Sequence, residues 1–551
     1  MLHDLALISP QLILLVAALF TLVADPFLPT DMSRKFWGLF GAGMSALAIV
    51  ACAALWKFGP YEMHTPAFSY HLSASGHALF FTALVSLCAL FTHLASPQYL
   101  IEQDSHYGEY YALLHFATFG MAVMVSAESL LCLFIGLEIM SMAIYVLVAF
   151  KRTSQASVEA GMKYFIMGSV ASAFLLYGIA FLFGLSGGTS FIEIQRALLS
   201  PKPGQDLWLG LAVVLTGGAF LFKVAAVPLH MWTPDVYEGA PTPITGFMSS
   251  TVKAAAFGSF LKFLYAGISG PALAALHLPI GEVLGCFAVI TMTVGNILAL
   301  TQRSLKRMLA YSAVAHAGYL LLGTIATIDD PTLGAPFLAP TGAVPFYLVG
   351  YALASLAGFA ALASLGKDGE ELTTEGHLAG LSKRHPVAAL ALTVSVLSLA
   401  GVPPTLGFFG KLQILRDVLA VDNGKYLPHV IVLVLNSVVS AYYYLKVPVA
   451  MYMRPDSKAN REYVREPSLT WAMALPAAAL LLLGIMPGHA MNWASRSEQA
   501  IRAGVETANV AHSYAVVQGG GRAKAPEAEK LAAETAKPTV AAVKPAVMPT
   551  R

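Results

Sequence analysis

Apolar stretches of about twenty residues recur along the chain between short polar connections, each long enough to cross a hydrocarbon core of roughly 30 Å as a helix. The pattern predicts about fourteen spans: 5–24, 36–57, 77–95, 110–127, 129–150, 160–184, 207–229, 243–265, 281–301, 308–328, 344–366, 386–420, 428–453 and 469–488. A membrane β-barrel would show segments of roughly ten residues with alternating polarity, and no such segments occur. The expected fold class is an all-α polytopic membrane bundle. The first stretch, "LALISPQLILLVAALFTLVA", follows Asp4 instead of a basic segment and is too long for a signal-peptide core, so it reads as a retained span.

Two spans are interrupted. In "FLFKVAAVPLHMW" (220–232), Pro228 has no N–H to offer the carbonyl of Val224, so span seven should open beside Lys223. In "GVPPTLGFFGK" (401–411), Pro403, Pro404, Gly407 and Gly410 precede Lys411, and a continuous helix through span twelve is not credible. Opened backbone at membrane depth is tolerated where it lines protein or a wet cavity, and its carbonyls can accept from an ammonium. Two broken spans, five apart in order, point to a transporter built from two repeats.

Composition agrees with the pattern. The 551 residues are 57% hydrophobic and 12% charged, with mean hydropathy +0.67, whereas soluble domains carry about 25% charged residues. A net charge of +2 says little for so long a chain. Cys52, Cys88, Cys132 and Cys286 lie singly in apolar runs, without metal-ligand spacing, and read as inert core residues. No Walker loop, GxGxxG after a strand or CxxCH occurs, so nothing indicates a cofactor in this chain or a nucleic-acid partner. Arg34, Lys35, Lys151, Arg152, Arg303, Lys306, Arg307, Lys367, Lys383, Arg384, Arg454, Lys458, Arg461 and Arg465 all fall in odd-numbered connections. The even-numbered ones hold Arg196, Lys202, Arg416 and Lys425, so the odd connections are expected in the cytoplasm and both termini in the periplasm. The acidic third connection, "SPQYLIEQDSHYGEY", is the exception, and acidic residues weigh little in that rule. The transmembrane domain is expected to cover 1–493. The Ala/Lys/Pro-rich remainder, 494–551, reads as a mobile tail, with "QAIRAGVETANVAHSYAVV" either an interfacial helix or a linker.

An ionisable side chain at the bilayer centre costs roughly 2.5 to 3.5 kcal/mol, so a set of them demands an explanation. Glu138 sits mid-way along span five, Lys253 along span eight and His316 along span ten, while Lys223 and Lys411 adjoin the two breaks. Lys163 lies nearer an end of span six. Lys223 alone could snorkel, His316 alone could be a satisfied core histidine, and Lys163 could reach the interface. Glu138 and Lys253 are too central for that, and together they argue for a polar interior. His115 and His230 read as structural, and Trp232 as an interfacial anchor.

Three segments, "FKVAAVPLHMWTPDVYEGAPTPIT" (222–245), "TQRSLKRMLAYSAVAHAGYLLLG" (301–323) and "GVPPTLGFFGKLQIL" (401–415), resemble the signature segments of the antiporter-like membrane subunits of respiratory complex I. The wording "PDVYEGAPTP" is more similar to the subunit N type of bacterial NADH–quinone oxidoreductase than to the L or M types. The resemblance implies two inverted five-helix repeats, helices 4–8 (about 110–265) and 9–13 (about 281–453), with helices 7 and 12 broken. It also implies that Glu138, Lys223, Lys253, His316, Lys411 and, in a lesser role, Lys163 carry protons. On that reading this is a translocase subunit of the bacterial inner membrane that performs no redox chemistry. NAD, FMN, iron–sulfur clusters and quinone would belong to partner subunits, with lipids and the neighbouring membrane subunits around the chain. The negative Glu138 would favour the charged form of Lys223, and separating them would push a proton through Lys253 and His316 to Lys411. Two alternatives stand beside this reading: a subunit of a multisubunit cation/proton antiporter or membrane-bound hydrogenase, and a structural scaffold whose buried charges merely pair.

Overall fold

The computed structural model describes residues 2–501 except 29, 59–65, 69–70, 200–203, 269–279, 329–340, 367–370, 372 and 456–465. Helix lies in each of the expected ranges. Eleven single helices among the described residues are long and apolar enough to cross a membrane. The other three ranges depart from that standard for visible reasons. The fourth, Gly108–Ser126, is made more polar by Glu109, Tyr110, Tyr111 and His115. The eighth is interrupted by π-helical turns at Met248–Val252 and Phe263–Gly267, and the twelfth is split into Pro386–Ala400 and Leu406–Ala420.

Spans ten and eleven (Leu305–Ile328 and Ala343–Ala363) are the centre of the bundle, with 94% of the membrane window of each buried. The first two spans keep only 33% buried and turn Leu19, Phe20, Leu39 and Val50 outward, as a lipid-facing helix should. Helices four and five, and nine and ten, pack backbone to backbone. A Cβ on Gly120 would come within 2.5 Å of the Met140 nitrogen, and one on Gly318 within 2.5 Å of the Met292 nitrogen. Gly136 and Gly295 make the reciprocal approaches, the close packing that small residues allow between membrane helices.

Both breaks have the same construction. The first half of span seven ends at Lys223, and Ala225 then takes φ +63 while Ala226 N–H reaches the Leu221 carbonyl at 2.8 Å and Ala225 N–H the Phe222 carbonyl at 3.1 Å. The first half of span twelve ends at Ala400, and Gly401 takes φ +85 while Val402 N–H and Gly401 N–H reach Leu397 and Ser398, each at 3.0 Å. These are Schellman endings, in which a left-handed residue lets the next amides satisfy the last free carbonyls. The helix of span seven thus stops five residues ahead of Pro228, earlier than the proline alone would require.

The two ends of the bundle differ. One gathers basic side chains: Lys306 binds Glu371 at 2.7 Å, Arg307 binds Asp235 at 2.9 Å and Arg454 binds Glu375 at 2.5 Å. The opposite end carries a two-residue hairpin, Pro66–Ala67 with Leu72–Ser73, and the helical residues 488–501. Ala494 and Ser497 are fully buried, so packed chain continues past the boundary expected at 493 because this segment closes over the far end. Residues 502–551, the rest of the expected tail, lie outside the described residues.

Candidate functional site

Span five presents Glu138 and Ser141 one turn apart, and the Lys223 ammonium, 4% exposed, donates to Ser141 Oγ at 2.8 Å. Glu138, half-buried, accepts instead from Ser172 on span six. Ser141 in turn donates to the Leu137 carbonyl at 2.6 Å, and no direct ion pair joins Glu138 to Lys223 among the described residues. Lys223 also lies 5.7 Å from the ring centres of Tyr145 and Tyr164, positions suited to cation–π attraction.

Trp232 corrects the sequence expectation. Only 3% exposed, it stacks on Tyr164 with ring centres 4.4 Å apart and donates its indole N–H to the Phe222 carbonyl at 3.2 Å. It anchors the broken helix end where an interfacial position was expected, since an indole inside the bundle needs an acceptor and the break supplies one. Beyond it Tyr237 lies beside Ser249, Tyr164 and Tyr351, which leads to the next cation. Lys253, 3% exposed, follows the π turn of span eight, donates to the Ala313 carbonyl and sits 5.2 Å from the Tyr351 ring centre.

His316 is held between two tyrosines, Nδ1 at 2.5 Å from the Tyr347 hydroxyl and Nε2 at 3.0 Å from the Tyr444 hydroxyl. Tyr444 continues to Ser312. A cavity of about 10 Å³, lined by Ser312, Tyr351, Ser355, Ser395 and Leu399 among others, lies beside this group, enough for about one water molecule. Lys411, 8% exposed, then donates to the carbonyls of Leu399 and Ala400, both at 3.0 Å, and faces the Tyr319 ring at 5.0 Å. The ammonium thus satisfies carbonyls freed by the break, at the negative end of the half-helix dipole.

Five of the six expected residues, Glu138, Lys223, Lys253, His316 and Lys411, fall along one interior line joined by tyrosines and serines. Lys163 stands apart. Its ammonium, 43% exposed, pairs with Glu159 at 2.7 Å and Asp235 at 3.0 Å, and Asp235 also binds Arg307. Burial alone would raise the Asp235 carboxyl, but hydrogen bonds and charge from Lys163 and Arg307 hold it below its usual value. Glu371 at the same end is lowered likewise, with burial opposed by the charge of Lys306 and hydrogen bonds from Lys306, Tyr99 and Thr242.

The tyrosines of the line escaped the sequence reading because aromatic residues in membrane helices look like ordinary core. Their spacing does carry a signal: Tyr347 and Tyr351 lie one turn apart on span eleven, facing His316. His115 is buried as expected, its ring 4.4 Å from that of His93. No group of three or more His, Cys, Asp or Glu suited to a metal occurs among the described residues.

Residues 127–440 match the family described as NADH:quinone oxidoreductase/Mrp antiporter, TM. Among curated relatives, NADH-quinone oxidoreductase subunit N of Trichlorobacter lovleyi is 38% identical across 90% of this chain and 98% of its own. NADH-quinone oxidoreductase subunit N 1 of Sorangium cellulosum is 44% identical across 77% and 83%. A chain of respiratory complex I from Thermus thermophilus, solved with bound aureothin, superposes with TM-score 0.71 at 30% identity, covering 88% of this chain and 98% of that one. The Mrp complex from Dietzia shares the fold, with TM-score 0.76 at 19% identity over 92% and 100%.

Proposed function

The chain belongs to the NADH:quinone oxidoreductase/Mrp antiporter transmembrane family, in its subunit N branch, and we propose that it moves protons along the interior line from Glu138 to Lys411. It is an antiporter-like, proton-pumping membrane subunit of complex I; its partners are the neighbouring membrane subunits, and quinone reduction takes place elsewhere in the assembly. The observation that carries the reading is the run of three buried ammonium groups, each seated between an aromatic ring and an oxygen acceptor.

Such a seat holds an ammonium without neutralising it. Serine and carbonyl oxygens accept hydrogen bonds but take no proton, so the lysine keeps the proton until its electrostatic surroundings change. Glu138 supplies that change for Lys223, since its carboxylate is held by Ser172 and not bonded to the ammonium, so the distance between the two charges can alter. His316, fixed at both ring nitrogens by hydroxyls, passes a proton by taking it on one nitrogen and releasing it from the other. Lys411 receives it at the second break. Moving one charge against 100 mV requires roughly 2.3 kcal/mol, and one pKa unit is about 1.36 kcal/mol, so modest electrostatic changes suffice. The positive-inside pattern supports uptake at the basic end, on the cytoplasmic side, and release opposite.

The test is the number of protons moved per quinone reduced by the intact complex in sealed vesicles. Lys223→Ala and Glu138→Ala should each slow proton transfer by roughly 10²-fold or more while the complex still assembles. A wild-type ratio in both variants would remove these residues from the path. A requirement for sodium would favour the antiporter alternative.

A further inference from the structure

The far end of the bundle holds a second set of buried ionisable side chains that the line to Lys411 does not use. Lys262 and Glu128, 4% and 5% exposed, pair at 2.5 Å, and Ser73 also bonds the carboxylate. His77 meets the Gly258 carbonyl at 3.0 Å through Nε2, which therefore carries the hydrogen, and Ser497 Oγ at 3.2 Å through Nδ1. Glu498, 7% exposed, accepts from the Tyr265 hydroxyl at 2.9 Å and from Gly342 N–H at 2.6 Å. Asp417 accepts from Thr341 and, at 3.4 Å, from Gln413. Thr341 and Gly342 are consecutive, so they hold the Asp417 and Glu498 carboxylates side by side.

This layer lies beyond both buried lysines of the line. Lys262 follows Lys253 on span eight and Asp417 follows Lys411 on span twelve, about 13 Å and about 9 Å along their helices at 1.5 Å per residue. Ser259, fully buried between Lys253 and Lys262, has a hydroxyl with no hydrogen-bond partner among the described residues. Arg416, with 62% of its side chain exposed and its Nε 3.5 Å from Asp417, connects the layer to the surface.

We propose that this layer is the proton-release site of the chain, with Asp417 and Glu498 as the exchanging acids. Two carboxylates held in one layer offer acceptor oxygens to a proton arriving from the line. The Lys411 ammonium gives up its proton, one carboxylate of the pair takes it, and the pair later yields it to water; no electron moves. The helical residues 488–501 are then part of the conducting machinery, since Glu498 comes from them. The inference rests on the conduction proposed above, so its test must fail separately.

The intact complex in sealed vesicles, carrying Glu498→Gln, Glu498→Asp or Asp417→Asn, is compared with Lys223→Ala for protons moved per quinone reduced. Glutamine keeps an acceptor for Gly342 N–H and a group for Tyr265 to bond, but carries no proton. The expected result is a ratio lowered to the Lys223→Ala level in Glu498→Gln and Asp417→Asn, and substantially restored in Glu498→Asp. If Lys223→Ala lowers the ratio and Glu498→Gln and Asp417→Asn do not, the release site is wrong and conduction stands. If Lys223→Ala keeps the wild-type ratio, both fall together. Should Glu498→Gln fail to assemble, Asp417→Asn decides by the same comparison.

Discussion

A lysine amine seated on a ring face and a neutral oxygen is distinguished from a structural cation by what replaces it. Arginine keeps the charge and donates as many hydrogen bonds, yet its guanidinium does not deprotonate in proteins. Lys411→Arg should therefore preserve assembly, by still donating to Leu399 and Ala400, while lowering the proton ratio as far as Lys411→Ala does. An arginine variant with a wild-type ratio would make Lys411 a helix cap alone. Trp232→Phe keeps the stack on Tyr164 but loses the indole bond to Phe222, and should cost about 1 kcal/mol of stability, read as a lowered melting temperature of the detergent-solubilised protein. Glu138, Lys223, Lys253, His316 and Lys411 were legible in the sequence because each violates the hydropathy of its span. Tyr145, Tyr164, Tyr347 and Tyr444 violate nothing, and Lys262, three residues from the expected end of span eight at 265, escaped the reading because a lysine near a span end violates little.

At the level of elements, the two breaks correspond more closely than their sequences suggest, while their charges do not. Counting from the left-handed residue of each, Ala225 and Gly401, Lys223 corresponds to Leu399 and Asp235 to Lys411. The first break thus has a half-buried acid, clamped by Lys163 and Arg307, where the second has a buried base. Pro403, Pro404, Gly407 and Gly410 made the second break easy to read, whereas Ala225 gave no glycine signal and left Pro228 as the only mark of the first. Gly401→Ala would force a side chain into a left-handed backbone, with its Cβ 3.1 Å from Lys411 Cδ, and so should disturb both the break and the amine. Ala225→Gly should stabilise the first break by about 1 kcal/mol, measured as a raised melting temperature. The glycine contacts between spans four and five and between nine and ten were invisible to periodicity. Gly318→Ala should cost about 1–3 kcal/mol through overpacking, seen as less chain recovered in the assembled complex.

Over the whole molecule, the ends respond differently to acid. Asp235 and Glu371 have lowered folded values, so their clamps contribute fully above the ordinary carboxylate range and are lost as pH falls through those lowered values. Protease cleavage of the connections at the basic end should be unchanged between pH 7 and 5 and should rise only below about pH 4. Increased cleavage already at pH 5 would contradict the assignment. The arrangement of spans and the basic end were legible from hydropathy and charge, because membrane insertion writes both into the sequence. The closure of the far end by residues 488–501 was not, since a short polar helix after the last span resembles a linker until its partners are known. The glycine-seamed pairs have a mechanical consequence. Helices whose backbones touch cannot slide past one another without lifting apart, so spans four and five, and nine and ten, act as two rigid struts. Bending of the bundle then falls on its interruptions, the π turns of span eight and the two Schellman endings, beside which Lys223 and Lys411 are mounted.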